Sequence, residues 1–142
     1  MGDTEFFEFV QEQGAFGFKN VGSDTNSASG NIVSLSLGGK NIKVDSSIKN
    51  KLALADKNFF RATGQHIGVN QSYRTTAQQA ELYRRSQAGE IGRAAPPGKS
   101  FHETGLAIDV TNWKEAEKYL VKYGFKNNLV DDKGHFSIGE FA

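Results

Sequence analysis

The 142-residue chain carries 17 Lys and Arg against 16 Asp and Glu, a net charge of +1 that offers no electrostatic basis for capturing nucleic acid or an anionic membrane surface. It has no cysteine, which excludes disulfides and thiolate metal sites and leaves His, Asp and Glu as ligands for any metal. No apolar run nears the ~20 residues of a membrane span, and the N-terminus MGDTEFFEFV is acidic and aromatic where a signal peptide would be basic and then aliphatic. A single main domain, monomeric and not inserted in a membrane, is the expectation at this length.

Glu5 to Gln13 suit a short helix, and Gly14 to Gly30 are rich in Gly, Ser, Asn and Asp without periodicity. Residues 1–30 therefore read as an N-terminal extension or linker ahead of a domain over residues 31–142. Val33, Leu35 and Leu37 alternate before Gly38 and Gly39, with Ile42 and Val44 beyond them, which predicts a β-hairpin. Asp45, Ser46 and Ser47 are candidate caps for a helix with Ile48, Leu52, Ala55 and Phe59 on one face, ending near Gly64. HIGVNQSY predicts a strand, and TTAQQAELYRRSQ a second helix capped by Thr75 or Thr76.

AGEIGRAAPPGKS forms a long Gly/Pro loop, of a length that more often serves function or motion than structure. After the strand LAIDV, Thr111 or Asn112 is placed to cap a third helix, with Glu115 in capping-box position and Ala116 and Leu120 on one face until Gly124. GHFSIG predicts the last strand. The irregular alternation of helices and strands, with hairpin signals, indicates an α+β fold.

The stretch KSFHETGLAIDV concentrates the chemistry. Asp109 sits between Ile108 and Val110, where a carboxylate is costly to desolvate unless a positive partner such as a metal ion meets it. His102 lies seven residues earlier, a spacing that would oppose the two side chains on a straight strand, and Gly105 between them permits a bend. Two His and one carboxylate hold a catalytic zinc with an open position, and His135, beside Phe136, is the other histidine in such a setting. His66 reads as structural or exposed, Trp113, Phe59 and Phe60 as core, and Arg84 and Arg85 as a solvated helix face.

Ser100, His102, Gly105, Ala107 and Asp109 spell S-x-H-x-x-G-x-A-x-D. This resembles the metal-binding motif of the VanY-like zinc D-Ala-D-Ala carboxypeptidases and L-alanyl-D-glutamate endopeptidases, which include phage endolysin peptidases and share their fold with Hedgehog signalling domains. Upstream, Tyr73, Arg74, Gln79, Leu82 and Tyr83 follow the same pattern, and Asp132, His135 and Phe136 match an acid-x-x-His-Phe ending. The resemblance runs from about Val44 to Phe136.

It implies a Hedgehog/DD-peptidase-like α+β fold, a small antiparallel sheet packed with helices, and a zinc site on the sheet. His102, Asp109 and His135 would hold one Zn²⁺ per chain; Asp132 would be the general base and Arg74 the oxyanion or carboxylate contact. Ser100, Tyr73 and Gln79 would meet the substrate, a peptidoglycan stem peptide. Many carboxypeptidase members have Glu and Trp where this chain has Asp132 and Gly134, and the D-x-x-H-F ending is similar to the endopeptidase side. Asp131 is a second candidate base. The implied role is cell-wall lysis or remodelling, by phage delivery or export through a route other than a signal peptide. The competing expectations are a D-Ala-D-Ala carboxypeptidase, a zinc-containing binding module without catalysis, and a structural capsid or tail module.

Overall fold

Paired strands and three helices follow one another over residues 28–140, which are the residues the computed structural model describes. In chain order they are β1 (Ile32–Leu37), β2 (Lys40–Asp45), α1 (Ser46–Thr63), β3 (Val69–Gln71), α2 (Thr76–Gln87), a 3₁₀ turn (Phe101–Thr104), β4 (Ala107–Val110), α3 (Trp113–Lys122) and β5 (His135–Ser137). β1 and β2 form a hairpin, and β3, β4 and β5 a separate antiparallel sheet in that order. The short helix expected at Glu5 to Gln13, and most of the extension, lie outside the described residues. Among the described residues no helix is long and apolar enough to cross a membrane.

Gly38 and Gly39, at φ 62° and 89°, close the hairpin through a turn that residues with a Cβ adopt reluctantly. The alternation then buries Leu35, Leu37, Ile42 and Val44 against α1, where Ile48, Leu52, Ala55 and Phe59 are all sealed from solvent. Ile108 and Val110 of β4, Phe136 of β5, and Ala116 and Leu120 of α3 complete this core. Burying each large aliphatic or aromatic side chain contributes about 1.5–3 kcal/mol.

Three local expectations are corrected. Phe60 is 45% exposed and stacks on His66 with ring centroids 4.4 Å apart, because one residue beyond Phe59 turns it about 100° off the buried face. Asn112 precedes α3 but makes no side-chain cap with Glu115's turn; its Oδ1 accepts from the Gly68 N–H at 2.9 Å and its Nδ2 donates to the His66 carbonyl at 3.0 Å. That exchange ties α3 to the loop before β3. β3 itself keeps only three residues of HIGVNQSY, since the Gly68 amide is taken by Asn112 and the Ser72 carbonyl by His102.

Asp45 joins the two halves of the fold. Its carboxylate caps α1 through Ser47 N at 3.0 Å and also accepts from the backbone of Ser29 and Gly30, while its own N–H donates to the Gly105 carbonyl at 2.9 Å. Residues 29 and 30, placed with the extension by composition, are thereby fastened to the domain. Burial alone would raise the Asp45 pKa; the hydrogen bonds from Ser29 and Ser47 outweigh it and hold the carboxyl below its ordinary 3.8. Asp45→Ala should therefore lower unfolding free energy by roughly 2–3 kcal/mol at pH 7, as expected for a lost cap plus stranded donors. A depressed folded-state pKa gives stability that is complete above 3.8 and fades as pH falls below it. In urea unfolding the gap between Asp45→Ala and the parent should shrink on acidification; a gap unchanged at low pH would contradict this assignment.

Candidate metal centre

The register of the three-stranded sheet builds the site. Gln71 of β3 pairs with Asp109 of β4, and Asp109 pairs with His135 of β5, so three polar residues form one row across the sheet. Residues directly opposite on neighbouring antiparallel strands have Cβ atoms about 4.5–5.5 Å apart, close enough for their side chains to converge. Ile108 and Val110, the neighbours of Asp109, point to the other face and into the core. The costly placement of an acid in an apolar strand is thus a face-selection effect of the β period.

His102 reaches the row from the 3₁₀ turn rather than from the strand. Ser100 caps that turn, its hydroxyl accepting from the His102 N–H at 3.2 Å, and Glu103 returns a bond to the Ser100 N–H. Gly105 ends the turn at φ 80°, and a Cβ there would meet Asp45 N at 2.8 Å, so both conformation and space require glycine. His102 Nε2 then lies 3.2 Å from Asp109 Oδ1, and His135 Nδ1 lies 3.3 Å from the same oxygen. The three candidate ligand atoms all fall within 4.8 Å of one another, and both imidazoles are buried.

The far nitrogen of each imidazole is also engaged. His102 Nδ1 is 2.9 Å from the Ser72 carbonyl, which fixes the hydrogen on Nδ1 and leaves Nε2 as a lone-pair donor. His135 Nε2 is 2.6 Å from Glu140 Oε1, which leaves Nδ1 facing Asp109. That Nδ1 is buried and has no hydrogen-bond partner among the described residues, its approach to Asp109 lacking the necessary alignment. A buried ring nitrogen without a hydrogen bond, beside a carboxylate and a second imidazole, suits a divalent cation with N and O ligands.

Charge follows burial here. Desolvation lowers the His102 pKa, which the Asp109 charge only partly offsets. Desolvation would raise Asp109, but the two histidines hold it well below the usual carboxylate range. For His135, desolvation is outweighed by the Glu140 and Asp109 carboxylates, and the ring is pushed up. A metal entering this site must displace the His135 proton.

Asp132 sits in the turn before β5, its carbonyl accepting from the His135 N–H at 3.2 Å. Its Oδ2 is buried with no partner among the described residues, whereas Asp131 is exposed. Burial, then the charge of Asp109, pushes the Asp132 carboxyl up to about 6, although His135 opposes this. Gly134 lies so close to β4 that a Cβ would meet the Val110 carbonyl at 2.6 Å.

Arg74 is buried beside the row, its backbone N–H bonded to the His102 carbonyl at 3.1 Å. Gln71 and Gln79 each accept one guanidinium hydrogen bond, at 3.2 and 2.7 Å, and Gln79 Nε2 donates to the Ala95 carbonyl at 2.7 Å. Three of the five guanidinium donors stay free of these two bonds. Ser100 and Gln79 are buried, the Ser100 hydroxyl accepting from the His102 N–H and Gln79 bridging Arg74 and Ala95, while Tyr73 is half-buried with its N–H on the Lys43 carbonyl. His66 pairs with Asp56 at 2.7 Å outside the cluster, and Arg84 and Arg85 meet Glu81 and Glu90 on the exposed face of α2.

Gln71 and Glu140 were not singled out by their sequence. The register partner of Asp109 and the carboxylate five residues past His135, beyond a Gly139 at φ 96°, are the signals that would have found them.

Solved structures share this arrangement of strands and helices. VanXYg, a vancomycin-resistance D,D-dipeptidase in complex with a D-Ala-D-Ala phosphinate analog, superposes with a TM-score of 0.61 at 21% identity, covering 84% of this chain. This chain spans 59% of the length of VanXYg. A mutant of the vancomycin-resistance D,D-pentapeptidase VanY from a VanB-type cassette, in complex with Zn(II), gives a TM-score of 0.54 at 21% identity over 74% of this chain and 79% of its own. VanYB in complex with D-alanine-D-alanine gives 0.54 at 21% over 73% and 77%. No curated protein sequence matches the chain. The VanY family profile, described as D-alanyl-D-alanine carboxypeptidase, matches residues 42–134, which takes in Arg74, His102, Asp109 and Asp132 and stops one residue before His135. With well over half of its length inside that match, the chain belongs to the VanY family of D-alanyl-D-alanine carboxypeptidases.

Proposed function

We propose that this chain is a zinc peptidase that hydrolyses the stem peptides of peptidoglycan at an L-alanyl-D-glutamate-type bond, in cell-wall lysis or remodelling. The observation that carries the peptidase reading is the convergence of His102, Asp109 and His135 within 4.8 Å, with a buried, unpartnered Asp132 oxygen in the turn that delivers His135. Bound by these three side chains, zinc supplies Lewis-acid polarisation and makes water acidic near neutral pH.

The remaining work falls to the protein. Asp132, half-buried in the turn before His135, takes the proton of the attacking water and returns it to the leaving amine. Arg74, held by Gln71 and Gln79, offers its free donors to the oxyanion or to a substrate carboxylate. Ser100 and Gln79 act by position, one shaping the His102 turn and the other anchoring Arg74.

The choice of bond rests on the Asp132-x-x-His135-Phe136 ending. A D-Ala-D-Ala carboxypeptidase is the second reading, favoured by the family match and by relatives solved with D-Ala-D-Ala or its analog. Digestion of purified peptidoglycan, with new termini identified by mass spectrometry, separates the two. New L-Ala C-termini and D-Glu N-termini support the endopeptidase; released D-Ala overturns it in favour of the carboxypeptidase. No cleavage by the zinc-loaded chain would overturn both.

A further inference from the structure

The two histidines of the cluster are held in unlike ways. His102 leans on a neutral backbone carbonyl, while His135 Nε2 lies 2.6 Å from a carboxylate, Glu140. Gly139 turns the chain back at φ 96°, and the Ile138 N–H bond to the Leu106 carbonyl pins the segment just before it. Glu140 is thereby carried to the ring from outside the sheet, its side chain only 10% exposed. Across the ring, Nδ1 is the buried atom left without a partner.

We infer that Glu140 is a positioning residue of the metal centre: it fixes the His135 ring so that Nδ1 is presented to zinc, and it strengthens that nitrogen as a donor. The inference rests on the zinc reading of His102, Asp109 and His135. A carboxylate accepting the far N–H of a ligand imidazole locks the tautomer and raises ligand basicity, and losing such a partner typically weakens metal binding by 10–100-fold. Among the described residues His102 Nδ1 meets the Ser72 carbonyl and no comparable carboxylate, so the effect should be lopsided between the two histidines.

The test is zinc affinity, measured by competition with a chromogenic chelator on the metal-free chain, for the parent, E140A, E140Q and the exposed-site control E115A. E140A should bind zinc roughly 10–100-fold more weakly than the parent. E140Q keeps an acceptor for the Nε2 hydrogen without the charge and should fall between them, a graded rescue that simple loss of packing would not produce. E115A should match the parent. Circular dichroism melts of the metal-free proteins show which variants are folded; if E140A is not, E140Q against the parent carries the comparison. Parent-like affinity in folded E140A, or in E140Q when only that variant folds, overturns the role of Glu140 while leaving the zinc site standing. Absence of a zinc site in the parent overturns the zinc reading and this inference with it.

Discussion

Hydrolysis of peptidoglycan is expected to vanish in His102→Ala and in His135→Ala, with zinc retention lost in each. Both rings are buried, both are oriented by a bond on the far nitrogen, and each offers one of the three candidate ligand atoms that converge among the described residues. Removing either leaves a two-ligand site and an Asp109 in an apolar strand with one imidazole beside it instead of two. His66→Ala is the matched control: His66 pairs with Asp56 and stacks on Phe60, outside the cluster, so zinc content and rate should both stay near parent values. Elemental analysis beside a peptidoglycan digestion assay reads both effects. A folded His135→Ala that keeps its zinc would remove that residue from the ligand set.

The second large effect belongs to Asp132. Asn at this position keeps shape and hydrogen bonding but cannot accept a proton, so kcat should fall by roughly 10²–10⁴ while zinc stays bound. Asp131→Asn should be mild, since Asp131 is exposed where Asp132 has a buried oxygen with no partner. The pH dependence has a defined sign. Only ionised Asp132 takes a proton, so kcat should decline as pH falls far enough to protonate it; burial and the Asp109 charge push the carboxyl up to about 6 in the metal-free chain, and the charge of bound zinc moves the limb of the loaded enzyme below that. The acid limb should disappear from whatever rate remains in Asp132→Asn. If Asp131→Asn were the inactive variant, the base assignment would be off by one residue.

The candidate ligand residues were legible because their chemistry conflicts with their surroundings. An aspartate between Ile108 and Val110 needs a reason, and three histidines in the whole chain leave few places to look. The hairpin and α1 were legible for the opposite cause, agreement of period, glycine placement and cap in one direction. Register was not: nothing local in VNQ announces that Gln71 stands opposite Asp109, and so the seat of Arg74 was missed. Asn112 shows the same limit, because a side chain suited to capping was claimed by the distant Gly68 and His66 backbone. Substrate contacts expected of Ser100 and Gln79 rest on motif position, and sequence alone could not show the internal bonds that both also make, Ser100 with the His102 N–H and Gln79 with the Ala95 carbonyl.

Zinc stoichiometry tests the central claim most directly. Protein stripped of metal and titrated with zinc should take up one ion per chain, with that uptake lost when His102, Asp109 or His135 is replaced by Ala. Absence of a stoichiometric site in the parent, or a site that survives all three replacements, would contradict a metal centre built on the Asp109 row.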